Sequence, residues 1–208
     1  MNLTNYYWYF QSAIPPRICD DIVRYGKQLQ DQIAVTGGFS NKKLNQKEIK
    51  DLKQKRDSNI VWMSDRWIYK EIQPYVNQAN ANAGWNFQWD FSESCQFTKY
   101  TKGQFYDWHC DGWDQPYQRQ QGDPSHGKIR KLSVTVTLSD PKDYKGGELE
   151  FDFRNLDPDK KPNIRKCTEI LPKGSLVVFP GFVWHRVCPV KKGTRHSLVI
   201  WNLGWPYK

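Results

Sequence analysis

The chain has no stretch of eighteen consecutive apolar residues, so a membrane-spanning helix is not expected. Met1 to Arg17 lacks the positive start and apolar run of a secretory leader; a cytoplasmic location with no membrane partner is the expectation. Five cysteines, at positions 19, 95, 110, 167 and 188, are an odd number with no close C-x-x-C pair. That pattern speaks against a disulfide framework and a zinc ribbon, and fits reduced thiols. No internal repeat is present, and low-complexity sequence is negligible. Histidine is scarce: four in 208 residues, so an imidazole site must draw on His109, His126, His185 and His196.

What is present is aromatic and basic. Aromatics make up 15% of the chain, with ten Trp, against a low mean hydropathy. That combination suits a compact β-rich core with a very polar exterior. A length of 208 residues is that of one domain, able to bury roughly 70% of the surface its unfolded form exposes. We expect residues 1–84 to be mainly helical support and residues 85–208 to form a β core. The net charge of +9 would favour an acidic partner, but charge speaks to association and not to fold.

In chain order, Tyr6 to Phe10 is an aromatic run suited to an opening strand or a plug against the core. Pro15-Pro16 suits a helix start, and Ile18, Ile22, Tyr25, Leu29 and Ile33 recur at helical spacing until Gly37-Gly38. Asn45 with Glu48 three residues on reads as a capping box opening a second, Lys-rich helix, whose charges are read as a solvated face. Ser64 or Asp65 can cap a third helix with Trp67, Ile68, Ile72, Val76 and Ala79 on one stripe, Pro74 kinking or restarting it and Gly84 ending it. From Trp85 onward short β-like runs follow, near residues 94–101, 104–110, 132–138, 147–153, 167–171, 175–179, 184–190 and 195–203. Eight strands is the count of a jelly roll. The non-periodic stretch from Trp113 to Lys131 is long for a turn and reads as a lid, its Arg119, Lys128 and Arg130 being solvated by default.

In an extended strand alternate side chains share a face, so His109 and Asp111 point together while Cys110 points away as a packed thiol. By itself His-x-Asp is more often two polar residues on an exposed face. Non-haem iron sites use two histidines and one carboxylate, and His185, in an apolar strand-like run, is the best candidate for the second imidazole. Ten residues further, Arg195 and Ser197 share a face with Val199 and Trp201, whereas His196 lies on the other face with Leu198 and Ile200. A buried arginine needs a partner, and no carboxylate is obviously placed to meet it. Arg-x-Ser therefore reads as a clamp for a ligand carboxylate. His126, in the loop, and His196 are expected to be exposed or core residues.

Several stretches carry a family resemblance. Gln96 to Asp111 is similar to a run into a metal motif, and Leu132 to Asp140, Gly146-Gly147-Glu148-Leu149, Pro172 to Leu176 and His185-Arg186-Val187 then Gly193-Thr194-Arg195 follow in order. The chain resembles the Fe(II)- and 2-oxoglutarate-dependent dioxygenases, in the prolyl-4-hydroxylase-like branch that includes the bacterial PKHD-type hydroxylases. Arg56-Asp57-Ser58 to Trp62 and the preceding helices match more loosely. The resemblance implies an α+β fold with a double-stranded β-helix (jelly-roll, cupin-like) core and N-terminal supporting helices. It implies Fe(II) held by His109, Asp111 and His185, with 2-oxoglutarate held by Arg195, Ser197 and Tyr100. Oxygen would be the second cosubstrate, with ascorbate as an accompanying reductant. The implied reaction hydroxylates an unactivated carbon, releasing succinate and carbon dioxide, and the implied partner is a proline-containing protein or peptide.

Departures sharpen this. Collagen-type prolyl hydroxylases place Lys where Arg195 stands. Nucleic-acid demethylases carry a second Arg shortly after the first, whereas this chain continues Ser197-Leu198-Val199-Ile200-Trp201-Asn202, which argues against a nucleic-acid partner. Tyr106, Trp113 and Trp201 are candidate substrate-pocket rings, packing being the commoner role of such aromatics. A hydroxylase of a small molecule or another side chain, a nucleic-acid demethylase and a non-catalytic jelly-roll binding module stand as alternatives, and the sequence carries no sign of oligomeric state.

Overall fold

The alternation of apolar residues along the C-terminal half builds two antiparallel sheets, each with one face turned to the other. The computed structural model describes residues 3–29, 32–34, 45–112, 114–154, 157 and 159–207. First come β1 (Trp8–Phe10), α1 (Pro16–Gln28), β2 (Gln32–Ile33), α2 (Gln46–Lys55), β3 (Arg56–Asp57), β4 (Asn59–Met63) and α3 (Arg66–Asn82). Then follow β5 (Phe91–Ser92), β6 (Cys95–Tyr100), β7 (Phe105–His109), β8 (Ile129–Thr137), β9 (Tyr144–Gly146), β10 (Leu149–Asp152) and β11 (Ile164–Lys166). A 3-10 turn (Thr168–Ile170) leads to β12 (Leu176–Pro180), β13 (Trp184–Val187), β14 (Val190–Gly193) and β15 (Arg195–Gly204).

The larger sheet runs β1-β12-β8-β15-β6-β4-β2 with β5 beside β15, and the smaller runs β11-β10-β13-β7-β3. Together they form the expected double-stranded β-helix with helices on its outside. On β15 the alternation holds: Leu198 and Ile200 join a core with Ile22, Ile68, Ile72 and Val76 of the helices. Each such fully buried side chain contributes about 2 kcal/mol of transfer free energy. Between the sheets lies a second core, with Tyr100, Leu149, Phe151, Val177 and Phe179. Helix α1 comes so close to the sheet that a Cβ on Gly26 would lie 2.7 Å from Phe97 Cδ1 and 2.8 Å from Met63 Cε. No helix among the described residues is long and apolar enough to cross a membrane.

Several local expectations change. Helix α1 stops at Gln28, Leu29 being extended, and Ile33 belongs to β2, paired to β4 at Asn59. The apolar spacing ran on because a strand residue fell on the helical period; Gly37 and Gly38 lie outside the described residues. The capping box at Asn45 and Glu48 is formed in both directions. Asp65 is the N-cap of α3, but its side chain does not cap, and Ser64 Oγ meets Ser94 Oγ at 3.0 Å. Helix α3 runs through Pro74 without restarting and ends before Gly84, whose φ of +73° suits glycine. The expected strand at 167–171 is the 3-10 turn, its strand lying just upstream as β11. The run 184–190 divides into β13 and β14 around Pro189, which has no N–H for a ladder. Residues before Gly84 also supply four strands, β1 and β2, β4 to the large sheet and β3 to the small one.

Candidate active site

Strands β7 and β13 pair so that His109 and His185 stand directly opposite each other in the small sheet. Asp111 lies two residues past the end of β7, and its backbone N–H and that of Gly112 both donate to Gly181 O, at 2.8 and 2.7 Å. This approach needs glycine on both sides: a Cβ on Gly112 or on Gly181 would lie 2.8 Å from Arg130 O. The carboxylate is thereby delivered between the rings, with Oδ1 at 3.8 Å from His109 Nε2 and Oδ2 at 3.5 Å from His185 Nε2. One donor atom from each of the three lies within 4.8 Å of the others.

The donor chemistry fits an iron ion. His109 Nδ1 lies 2.7 Å from Asp107 O and His185 Nδ1 lies 3.0 Å from Val183 O. A carbonyl can only accept, so the ring proton sits on Nδ1 and the Nε2 lone pair is left for a metal. Burial, reinforced by His185, pushes His109 down to about 3, keeping it neutral and able to ligate. Burial pushes Asp111 upward, but His185, His109 and Arg130 outweigh it and hold the carboxyl below its ordinary range. Two imidazoles that turn Nε2 toward one carboxylate match the facial triad of non-haem Fe(II) sites.

Around this triad the strands place further groups. Tyr106 stacks on His109, ring centroids 3.5 Å apart and planes 14° apart. Arg56, opposite Tyr106 in the β3–β7 register, covers that ring at 4.3 Å. Arg56 is 3% exposed; its Nε donates to Ser58 Oγ at 3.0 Å and its Nη2 is buried with no hydrogen-bond partner. Arg195, 2% exposed, lies opposite Tyr100 on β6 and donates from Nη1 to Ser197 Oγ at 3.2 Å. No carboxylate pairs with Arg195 among the described residues, so a buried guanidinium, a hydroxyl and the Tyr100 ring await an anion.

Trp201 is 5% exposed, with Arg130 stacked on its ring at 3.8 Å and its Nε1 buried without a partner. Arg130 itself forks onto Glu93, Nε to Oε1 at 3.1 Å and Nη2 to Oε2 at 2.5 Å. It is thus a half-buried strand residue and not the solvated loop cation expected; Lys128 is buried and pairs with Asp90 at 2.7 Å. The loop before β8 is folded back on itself, Tyr117 N donating to Lys128 O and Gly127 N to Tyr117 O, both at 2.9 Å. Its Tyr117 phenol faces Glu93 and Arg130. Trp113 lies outside the described residues. Cys110 Sγ turns to Gly112 O, His126 is exposed at the loop, and His196 stacks on Phe97 beneath the helices, all three outside the triad.

Sequence reading missed Arg56, Glu93, Arg130 and Tyr117. Only for Arg56 was there a signal, its place in the Arg56-Asp57-Ser58 stretch ahead of an apolar run.

Residues 95–202, just over half of the chain, match the family model of the 2OG-Fe(II) oxygenase superfamily, and the chain belongs to that family. Curated relatives include PKHD-type hydroxylases. The chain is 36% identical over 104 residues to one from Pseudomonas fluorescens, which covers 50% of this chain and 40% of the relative. To the PKHD-type hydroxylase PiuC of Pseudomonas aeruginosa it is 36% identical over 110 residues, 51% of this chain and 41% of that protein. The chain therefore spans about two fifths of the length of these relatives. Among solved structures, the viral collagen prolyl hydroxylase from Paramecium Bursaria Chlorella virus-1 superposes with a TM-score of 0.64 at 21% identity, covering 97% of both chains. A Pseudomonas putida prolyl-4-hydroxylase gives a TM-score of 0.63 at 18% identity, covering 99% of this chain and 95% of that one. At such identities these two likenesses speak to the fold.

Proposed function

We propose that this protein is a peptidyl prolyl hydroxylase that uses Fe(II), oxygen and 2-oxoglutarate and releases succinate and carbon dioxide. The observation that carries the reading is the pairing of a three-donor metal triad on the small sheet with a buried arginine, unpaired with any acid among the described residues, on the large sheet of the same barrel. His109, Asp111 and His185 would hold the ion, and three protein ligands leave positions open for a chelating 2-oxo acid and oxygen. When bound, Fe(II) supplies the oxidative chemistry that couples decarboxylation of the 2-oxo acid to hydroxylation of a C–H bond.

The remaining roles belong to the chain. Arg195 and Ser197 would take the distal carboxylate of 2-oxoglutarate, with Tyr100 closing that end of the pocket. The backbone carbonyls of Asp107 and Val183 fix the tautomer and tilt of the two imidazoles. Tyr106, itself covered by Arg56, braces the His109 ring by stacking on it. Trp201, held under the Arg130–Glu93 pair, would form the wall against which a substrate ring rests. A proline-containing substrate is favoured by the relatives named prolyl hydroxylases, one of which is described in complex with a peptide fragment. Cytoplasmic residence is proposed with this, on the five unbonded cysteines, and ascorbate is proposed to sustain turnover.

Succinate release against peptides with and without proline, with and without ascorbate, tests the reading. Proline-dependent release is expected. Asp111→Ala should abolish it, a loss beyond the roughly 10–100-fold that removing a mere supporting partner causes. Unchanged release in that variant would sink the metal assignment, and equal release from proline-free peptides the substrate.

A further inference from the structure

The two sheets do not close on each other everywhere. β1 is one edge of the large sheet and β11 one edge of the small sheet, and between them lies a cavity of about 600 Å3 lined by residues of both. Its floor is a row of rings: Tyr6 on Phe153 at 4.9 Å, Tyr7 stacked on Phe151 at 5.1 Å, and Phe151 at 6.4 Å from the His185 ring. Tyr7 is pinned by its hydroxyl, which donates to Glu169 Oε1 at 3.0 Å, and Arg165 of β11 reaches across to the same carboxylate and over the Tyr7 ring. Tyr9, 42% exposed, continues the row outward. The hydroxyls of Tyr6 and Tyr9 donate to no group among the described residues.

We propose that this seam binds an extended, proline-rich stretch of the polypeptide substrate flanking the residue that reacts; the inference rests on the hydroxylase reading above. The direction of the seam is given by register. Tyr6 packs on Phe153, the residue after Asp152, and Asp152 pairs with Trp184, the neighbour of His185. The seam thus opens at the metal-bearing end of the barrel. Its chemistry selects the occupant. Each edge is only three residues long, too short for a stable added strand or for sheet-to-sheet pairing of two copies. Recognition must come from side chains. Flat tyrosine faces with free hydroxyls suit a polyproline II chain, which packs its rings on aromatics and leaves its carbonyls unpaired as acceptors.

The test is fluorescence anisotropy of a labelled, twelve-residue proline-rich peptide on the metal-free protein, followed by kinetics on long and short peptides. Binding is expected, weakened at least fivefold by Tyr9→Ala and less by Tyr9→Phe, which keeps the ring and loses the hydroxyl; Arg165→Ala, at the opposite edge, is the second variant. In turnover Tyr9→Ala should raise KM for the long peptide severalfold and leave kcat/KM for a pentapeptide unchanged. Equal binding by wild type and both alanine variants would overturn the seam, as would turnover indifferent to peptide length, even with hydroxylation intact. Tyr9-dependent dimerisation without peptide binding would also overturn it. Tyr9-dependent binding without hydroxylation of any peptide would support the seam and sink the hydroxylase reading.

Discussion

Arg195 illustrates how much one residue can reveal before any ligand is seen. An arginine buried to 2% exposure, whose side chain among the described residues is hydrogen-bonded to a serine hydroxyl and to no carboxylate, is an unstable arrangement unless something anionic completes it. Arg195→Ala is therefore expected to raise the KM for 2-oxoglutarate by roughly thirty-fold or more, the roughly 2–5 kcal/mol that truncating one partner of a buried charged pair costs. Iron affinity, measured by metal titration, should stay within a few-fold of wild type. A parallel loss of iron affinity would show instead that Arg195 holds the barrel together. The inward burial of Arg195 was legible from strand alternation, and the meeting of His109 with His185 from residue chemistry and the order of the motifs. Glu93 and Arg130 were not: their pairing joins positions far apart in the chain, and an arginine beside a polar loop carries no mark of its burial.

The elements divide in the same way. The capping box of α2 was legible because it closes within four residues, and Asn45→Ala should cost about 1 kcal/mol of stability. Chemical denaturation would read this as a lower midpoint with an unchanged slope. The end of α1 was not legible, since Ile33 keeps the helical spacing while its backbone pairs with β4. The flat seat of α1 is written in Gly26, which leaves no room for a side chain between Phe97 and Met63. Gly26→Leu should destabilise the protein by about 1–3 kcal/mol even though leucine is the better helix former. A stabilised Gly26→Leu protein would mean that α1 can lift off the sheet.

Over the whole molecule, the carboxylates give stability a pH sense. Burial pushes Asp152 upward, but the backbone N–H groups of Asn163 and Arg154 and the Arg154 guanidinium outweigh it, leaving the group below its ordinary value. Glu169 is likewise lowered against burial, by backbone, Tyr7 and Arg165. A carboxyl depressed in the folded state stabilises above its unfolded value and loses that contribution as pH falls through its folded one. The melting temperature should hold from neutral pH down to about 5 and then decline through the carboxylate range near about 4. Asp152→Asn should lower the neutral-pH plateau and flatten the acid decline; a decline of undiminished steepness would place the sensitivity elsewhere. At this scale the direct opposition of His109 and His185 across β7 and β13 has one more consequence. A slip of one residue between those strands would turn one imidazole to the outer face. With the ion held as proposed, loading would require the correct pairing, so metal uptake would double as an inspection of the fold: a chain slipped at these strands would stay empty.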